Sequence, residues 1–135
     1  MSSSLTFRVE YKYDTTHKGI TIPVALSIKD AIVDLFAKVD TGADFCIFKR
    51  EHGEALDLDI ESGYPQKFET VAGIFTTYGH EVTLSTFNLH FDVTVYFSAN
   101  YGFRRNVLGR RGWLDQVKLG IIDYDGNLYI SNYND

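Results

Sequence analysis

Phe36-Ala37-Lys38-Val39-Asp40-Thr41-Gly42-Ala43-Asp44-Phe45-Cys46-Ile47-Phe48 is the stretch around which the rest of the sequence is organised. A short acidic turn, Asp40 to Asp44, lies between segments rich in β-branched and aromatic residues, which predict two strands meeting at a bend. A carboxylate is thereby set at the junction of two apolar strands. Gly42 lets the backbone turn without a Cβ clash, and the Thr41 hydroxyl is available to tie the turn to a neighbour. The same residue types also make plain Asx-type turns, so the flanks and the remainder of the chain must decide the reading.

Upstream, Leu5 to Tyr13 alternates apolar and polar residues in the strand manner, and Asp14 to Gly19 reads as a hairpin-like connection. Ile20 to Ile28 predicts a second strand, with Pro23 at an edge or bulge because it offers no ladder donor. Lys29-Asp30 is a turn, and Ile32 to Val39 a third strand that runs into the acidic turn. Downstream, Phe45 to Phe48 leaves the turn as a strand, and Lys49 to Leu56 predicts a short helix weakened by Gly53. Leu56, Leu58 and Ile60 pack this segment back onto the sheet, and Gly63-Tyr64-Pro65 reads as a break. A long β region follows in two arms, Phe68 to Tyr78 with Val82 to Phe87, then Leu89 to Phe97 with clean period-two alternation. Arg110 to Gln116 has room for one or two helical turns. Val117 to Asp123 and Leu128 to Ile130 are strands about a turn at Asp125-Gly126, and the polar end from Ser131 is expected to fray. The pattern predicts one mainly β domain over residues 1–135, a closed barrel with one or two short helices.

The bulk properties narrow the function. The chain has 135 residues, enough for one domain with a real core, and 13 Lys and Arg against 18 Asp and Glu give a net charge of −5. No basic run is present, which argues against nucleic acid as a partner. No apolar run approaches membrane-spanning length and the first residues lack a signal-peptide pattern, so a cytoplasmic location away from the membrane is expected. The single cysteine, Cys46, rules out an internal disulfide and reads as a small buried hydrophobe. His17, His52, His80 and His90 show no ligand spacing for a metal.

The turn and its flanks resemble the active-site signature of retropepsin-like aspartic peptidases, in which apolar residues lead into Asp-Thr-Gly-Ala over 39–44. Two further features follow in the order this resemblance implies. The first is a flap hairpin over about 68–80, with Val71, Ala72, Gly73 and Ile74 at its centre and Ala72-Gly73 as the tip. It contains fewer glycines than viral flaps. The second is Val107-Leu108-Gly109-Arg110 leading into a helix, over 107–116, where the glycine allows the segment to pass close beside the turn. The resemblance implies that Arg110 pairs with Asp44.

By the same resemblance, Asp40 is the catalytic residue, supported by Thr41, Gly42, Ala43, Asp44 and Arg110. Such chemistry needs two carboxylates about one water, and this chain carries one Asp-Thr-Gly. The implied enzyme is therefore a homodimer in which each subunit contributes Asp40. Two like charges so close cannot both ionise cheaply, so the pair shares one proton, the situation for which aspartic proteases are the standard illustration. The substrate would be an extended peptide or protein segment, with no metal or organic cofactor. The alternative is a catalytically inactive or weak module of the same fold that binds an extended peptide or protein partner without cutting it.

Overall fold

A computed structural model describes residues 1–135. The strands are β1 (Val9–Lys12), β2 (Thr21–Ile28), β3 (Ala31–Val39), β4 (Ile47–Phe48), β5 (Tyr64–Thr70), β6 (Gly73–Thr86), β7 (Leu89–Ser98), β8 (Val107–Leu108), β9 (Val117–Ile122) and β10 (Asn127–Asn132). One short helix, α1 (Arg50–Ala55), and three single 3-10 turns complete the chain. Period-two patterning builds the core: β2 buries Ile22, Val24 and Leu26, and β7 buries Leu89, Phe91, Val95 and Phe97. With Phe48, Leu84, Leu108, Trp113, Leu128 and Ile130, these residues belong to one continuous hydrophobic cluster.

The main sheet runs β2-β3-β8-β4-β7-β6-β5, and an additional ladder from Ala25–Ser27 of β2 to Thr83–Ser85 of β6 folds it back on itself. The class is therefore mainly β, as expected, although β1, β10 and β9 form a separate three-stranded sheet. β8 lies between β3 and β4, parallel to the first and antiparallel to the second. The connection from β3 to β4, which holds the acidic turn, thus passes across the end of β8. Pro23 sits beyond the end of the short β2–β6 ladder, where its missing N–H costs nothing, and Thr86 Oγ1 donates to its carbonyl at 2.7 Å.

Several expectations are corrected. Residues 14–19 do not form a hairpin, because β1 pairs with β10 and the segment crosses between sheets. Turn residues mark a bend but do not name the partner strand. Pro65 does not break the chain. It lies within β5, which is an edge strand of the main sheet and can lack a donor there. Residues 110–116 yield only the 3-10 turn Leu114–Gln116. Gly112 at φ +100° reverses the chain first, and its N–H is taken by Asp115 Oδ1 at 3.1 Å. The end of the chain is tied down: Ser131 is buried, and Asp135 pairs with Arg8 at 2.9 Å.

Gly53, an expected weakness in α1, is required by packing. It is buried, and a Cβ there would overlap Ile60 Cδ1 and approach the Phe97 ring at 3.0 Å. The β6–β7 hairpin turns through Phe87 and Asn88, both at positive φ (52° and 62°), in the manner of a type I′ turn. Phe87 is held in this unfavourable conformation by packing against Tyr11, ring centroids 4.9 Å apart.

Candidate active site

The backbone fixes the acidic turn on both sides. Asp40 N–H donates to Leu108 O at 3.0 Å, Arg110 N–H to Ala43 O at 2.8 Å and Arg111 N–H to Asp44 O at 2.9 Å. Within the turn, Ala43 N–H donates to Asp40 O at 3.1 Å, and Gly42 N–H donates to Asp40 Oδ1, also at 3.1 Å. The Asp40 carboxylate is therefore oriented by its own turn, with Oδ1 engaged and the side chain half-buried. Thr41 and Gly42 are exposed beside it. Gly42 does not adopt a positive φ, and a Cβ there would meet only Asp40 Oδ1 at 3.4 Å. The turn as one chain folds it thus does not demand glycine.

Gly109 does. A Cβ at this position would overlap the carbonyl oxygen of Phe45, and it would lie 2.7 Å from the Phe45 carbonyl carbon and 2.8 Å from Ala43 O. The close passage expected of the Gly-Arg segment is present, and backbone hydrogen bonds make it. The expected ion pair is absent: the Asp44 and Arg110 side chains are both exposed and neither enters a salt bridge. Exposed to solvent, a carboxylate and a guanidinium lose little by remaining apart. Cys46, next in the chain after Phe45, is fully buried. Its Sγ accepts from Gly109 N–H at 3.4 Å, and burial pushes its thiol up to about 12, which makes it a packing residue and no nucleophile.

One residue escaped the sequence reading. Asn106 Oδ1 accepts from Lys49 N–H at 3.0 Å, while its Nδ2 donates to Phe36 O and to His52 Nε2, each at 3.2 Å. Lys38 N–H donates to the Asn106 carbonyl at 2.8 Å. This side chain thus joins β3, the start of α1 and the entry to β8, the three elements that frame the turn. Only its place immediately before Val107-Leu108-Gly109 could have drawn notice. Burial lowers the pKa of His52, which keeps its ring neutral and able to accept from Asn106. A depressed folded-state value means that this contribution is present above the ordinary histidine range and is lost as pH falls below it. Asn106→Ala is expected to lower stability by about 2 kcal/mol, measured by urea unfolding at pH 7.5, with the gap to the parent narrowing on acidification as His52 protonates.

The flap hairpin is formed by β5 and β6, and its tip is shifted by one residue from the expected position. Thr70 pairs with Gly73, leaving Val71 and Ala72 as the two-residue loop. Thr70 Oγ1 accepts from Ala72 N–H and donates to Gly73 O, both at 3.2 Å. Gly73 absorbs the twist at φ +127° with nothing within 4 Å of a Cβ, so its requirement for glycine is purely conformational. Gly73→Ala should cost about 1–2 kcal/mol of local strain, seen as faster amide exchange over 68–77 with little change in the global unfolding midpoint. Val71 and Ile74 are exposed. Lower in the hairpin, Phe68 packs edge-on against Phe45 at 5.5 Å, and both meet Tyr96, so the flap base touches the residue that follows the acidic turn.

Asp40 lines neither the cavity beside the flap tip nor the one among β2, β3 and the β6–β7 turn. The first, of about 710 Å³, lies between the flap tip and the loop after β7, bounded by Val71, Ala72, Phe75, Phe103, Arg104 and Arg105 among others. The second has a volume of about 380 Å³. No group of three or more His, Cys, Asp or Glu side chains is arranged to hold a metal ion, and no helix is long and apolar enough to cross a membrane.

Comparison with solved structures places this arrangement in a known fold. A retropepsin-like aspartic protease from Rickettsia conorii superposes with a TM-score of 0.66 at 16% identity, over 91% of this chain and 97% of the other. An EIAV protease in complex with the inhibitor HBY-793 gives a TM-score of 0.54 at 20% identity, over 78% and 88% of the respective chains. No family model and no curated protein sequence matches. The fold is that of the retropepsin-like aspartic proteases. Identities this low establish the fold alone, and the chemistry must be argued from this chain's own residues.

Proposed function

We propose that the chain is an aspartic endopeptidase that works as a homodimer, with one Asp40 from each subunit facing a shared water. The observation that carries this reading is the placement of Asp40. It is half-buried, oriented through Oδ1 by Gly42 N–H, and flanked by exposed Thr41 and Gly42 on a turn braced from behind by β8. A rigid acid that one chain leaves accessible, with room above Gly42, suits the approach of a twin across a twofold axis. In the pair, the ionised carboxylate takes a proton from the water while its protonated neighbour donates to the scissile carbonyl oxygen, and the roles exchange as the amide nitrogen departs. Thr41 would hydrogen bond across the axis. Gly42 would offer backbone groups to an extended peptide lying between flap and floor.

The second reading, a binding module that does not cut, is favoured by Gly73 being the single glycine of the flap segment Thr70–Phe75 and by the unformed Asp44–Arg110 pair. Cleavage of a peptide library at acid and neutral pH separates the two. The peptidase yields defined products that disappear in Asp40→Asn, whereas the binder yields none while still retaining peptides.

A further inference from the structure

Six arginines occur in the chain, and four of them, Arg104, Arg105, Arg110 and Arg111, fall within eight residues. Arg8 is paired with Asp135 and Arg50 with Glu54 and Glu61. The four clustered arginines enter no ion pair, in a protein whose net charge is −5. Two of them, Arg104 and Arg105, line the cavity of about 710 Å³ beneath the flap tip, and no acidic residue lines it. Thr70 and Asn100 also line it, and its apolar part is Val71, Ala72 and Phe75 of the flap, with Phe75 packed edge-on against Phe103 of the loop at 5.6 Å.

The loop that carries these arginines is anchored at its start. Arg50 Nη1 donates to Ala99 O at 3.1 Å, the Arg50 guanidinium lies 5.5 Å from the centre of the Tyr101 ring, and the Tyr101 hydroxyl donates to Glu54 Oε2 at 2.5 Å. The hydrogen bonds that Arg50 donates to the Glu61 carboxylate raise its pKa further, so this anchor stays charged at any working pH. At its other end the loop runs into β8, and Leu108, whose carbonyl accepts from Asp40 N–H, is the third residue after Arg105, at most about 10 Å away along extended chain.

We propose that this cavity is an acidic side-chain subsite: an extended peptide lying under the flap places a glutamate or aspartate there, its methylene stem against Phe75 and Phe103 and its carboxylate gripped by Arg104 and Arg105. Guanidinium forks bind carboxylates in bidentate fashion, and the two exposed arginines stand beside an aromatic wall that covers one side of the pair. The inference rests on the reading of the site as a peptide cleft, but it requires only binding and holds for cutting and non-cutting versions alike.

The test is binding of a positional-scanning peptide set, each position fixed in turn as Glu or Gln, to the full-length Asp40→Asn protein, in which cleavage cannot distort the measurement. Glu is expected to be favoured over Gln by about tenfold at one position, with the preference shrinking as salt is raised. It should vanish in a background that also carries Arg104→Gln and Arg105→Gln, and turn into a preference for Lys with Arg104→Glu and Arg105→Glu. Equal affinity for Glu and Gln at every position, a preference that survives both arginine replacements, or no peptide binding at all would each overturn the proposal. A Glu preference in a protein whose unmutated form cleaves nothing would leave the subsite standing and remove the peptidase reading. Cleavage without a Glu preference would do the reverse.

Discussion

Asp40→Asn is expected to fold and associate like the parent protein while losing peptide cleavage by roughly a thousandfold, the scale of a lost general acid–base group. The substitution is nearly isosteric. Its side-chain oxygen can still accept from Gly42 N–H, the single hydrogen bond the Asp40 carboxylate makes within the chain. The backbone bonds from Asp40 N–H to Leu108 O and from Ala43 N–H to Asp40 O involve no side-chain atom. The turn should therefore keep its shape, and the unfolding midpoint should stay where it was. An amide cannot take a proton from water, so the chemical step fails even though the site is intact. The expected signature is a collapse of kcat with little change in the affinity for peptide. Undiminished turnover would locate the reaction elsewhere in the molecule or in a contaminant.

Gly109→Ala is expected to have the largest effect on stability, about 3 kcal/mol, the upper end for forcing atoms into a filled interior. The usual escape from overpacking is a shift of a flexible side chain, but the atoms in the way here are backbone: Phe45 O and C, and Ala43 O at 2.8 Å. Relieving them means withdrawing β8 from the acidic turn, with loss of the bonds from Arg110 N–H to Ala43 O and from Arg111 N–H to Asp44 O. For a domain of this size such a loss is a large share of the total. Denaturant unfolding measures it. Any protein that still folds should also show reduced cleavage, because the brace behind Asp40 has moved. A variant as stable as the parent would mean that the close passage of the two segments is not a constraint.

How much of this was legible in the sequence differs from element to element, for physical reasons. The alternation of Leu89–Phe97 could be read because one face of that strand had to be buried, whereas of the alternating Leu5 to Tyr13 only Val9–Lys12 is strand. The glycine of Val107-Leu108-Gly109 could be read because the close passage of two backbones leaves no room for a Cβ, whereas the acidic turn was legible through its resemblance, since the fold of one chain does not demand Gly42. Strand partners could not be read. Nothing in Val9–Lys12 announces that it pairs with residues 127–130 near the other end of the chain, since pairing is a property of topology. The flap tip slipped by one residue because glycine was assigned to the loop itself, whereas Gly73 takes up the positive φ just after it. The helix expected after Arg110 failed at Gly112, whose left-handed φ ends the turn before it begins. Asn106 was invisible because its importance lies in three side-chain hydrogen bonds to residues 54 to 70 positions away. The Asp44–Arg110 pair was expected from the resemblance, but in this chain backbone hydrogen bonds and the Cys46 thiol join the two segments, with no ion pair.

The measurement that bears most directly on the shared site is specific activity per chain across a thousandfold dilution, followed alongside sedimentation velocity on the same samples. If two Asp40 residues make one site, activity per chain must fall as dimers dissociate and track the dimer fraction at every concentration. Constant activity per chain in samples that sediment as monomers would contradict the account.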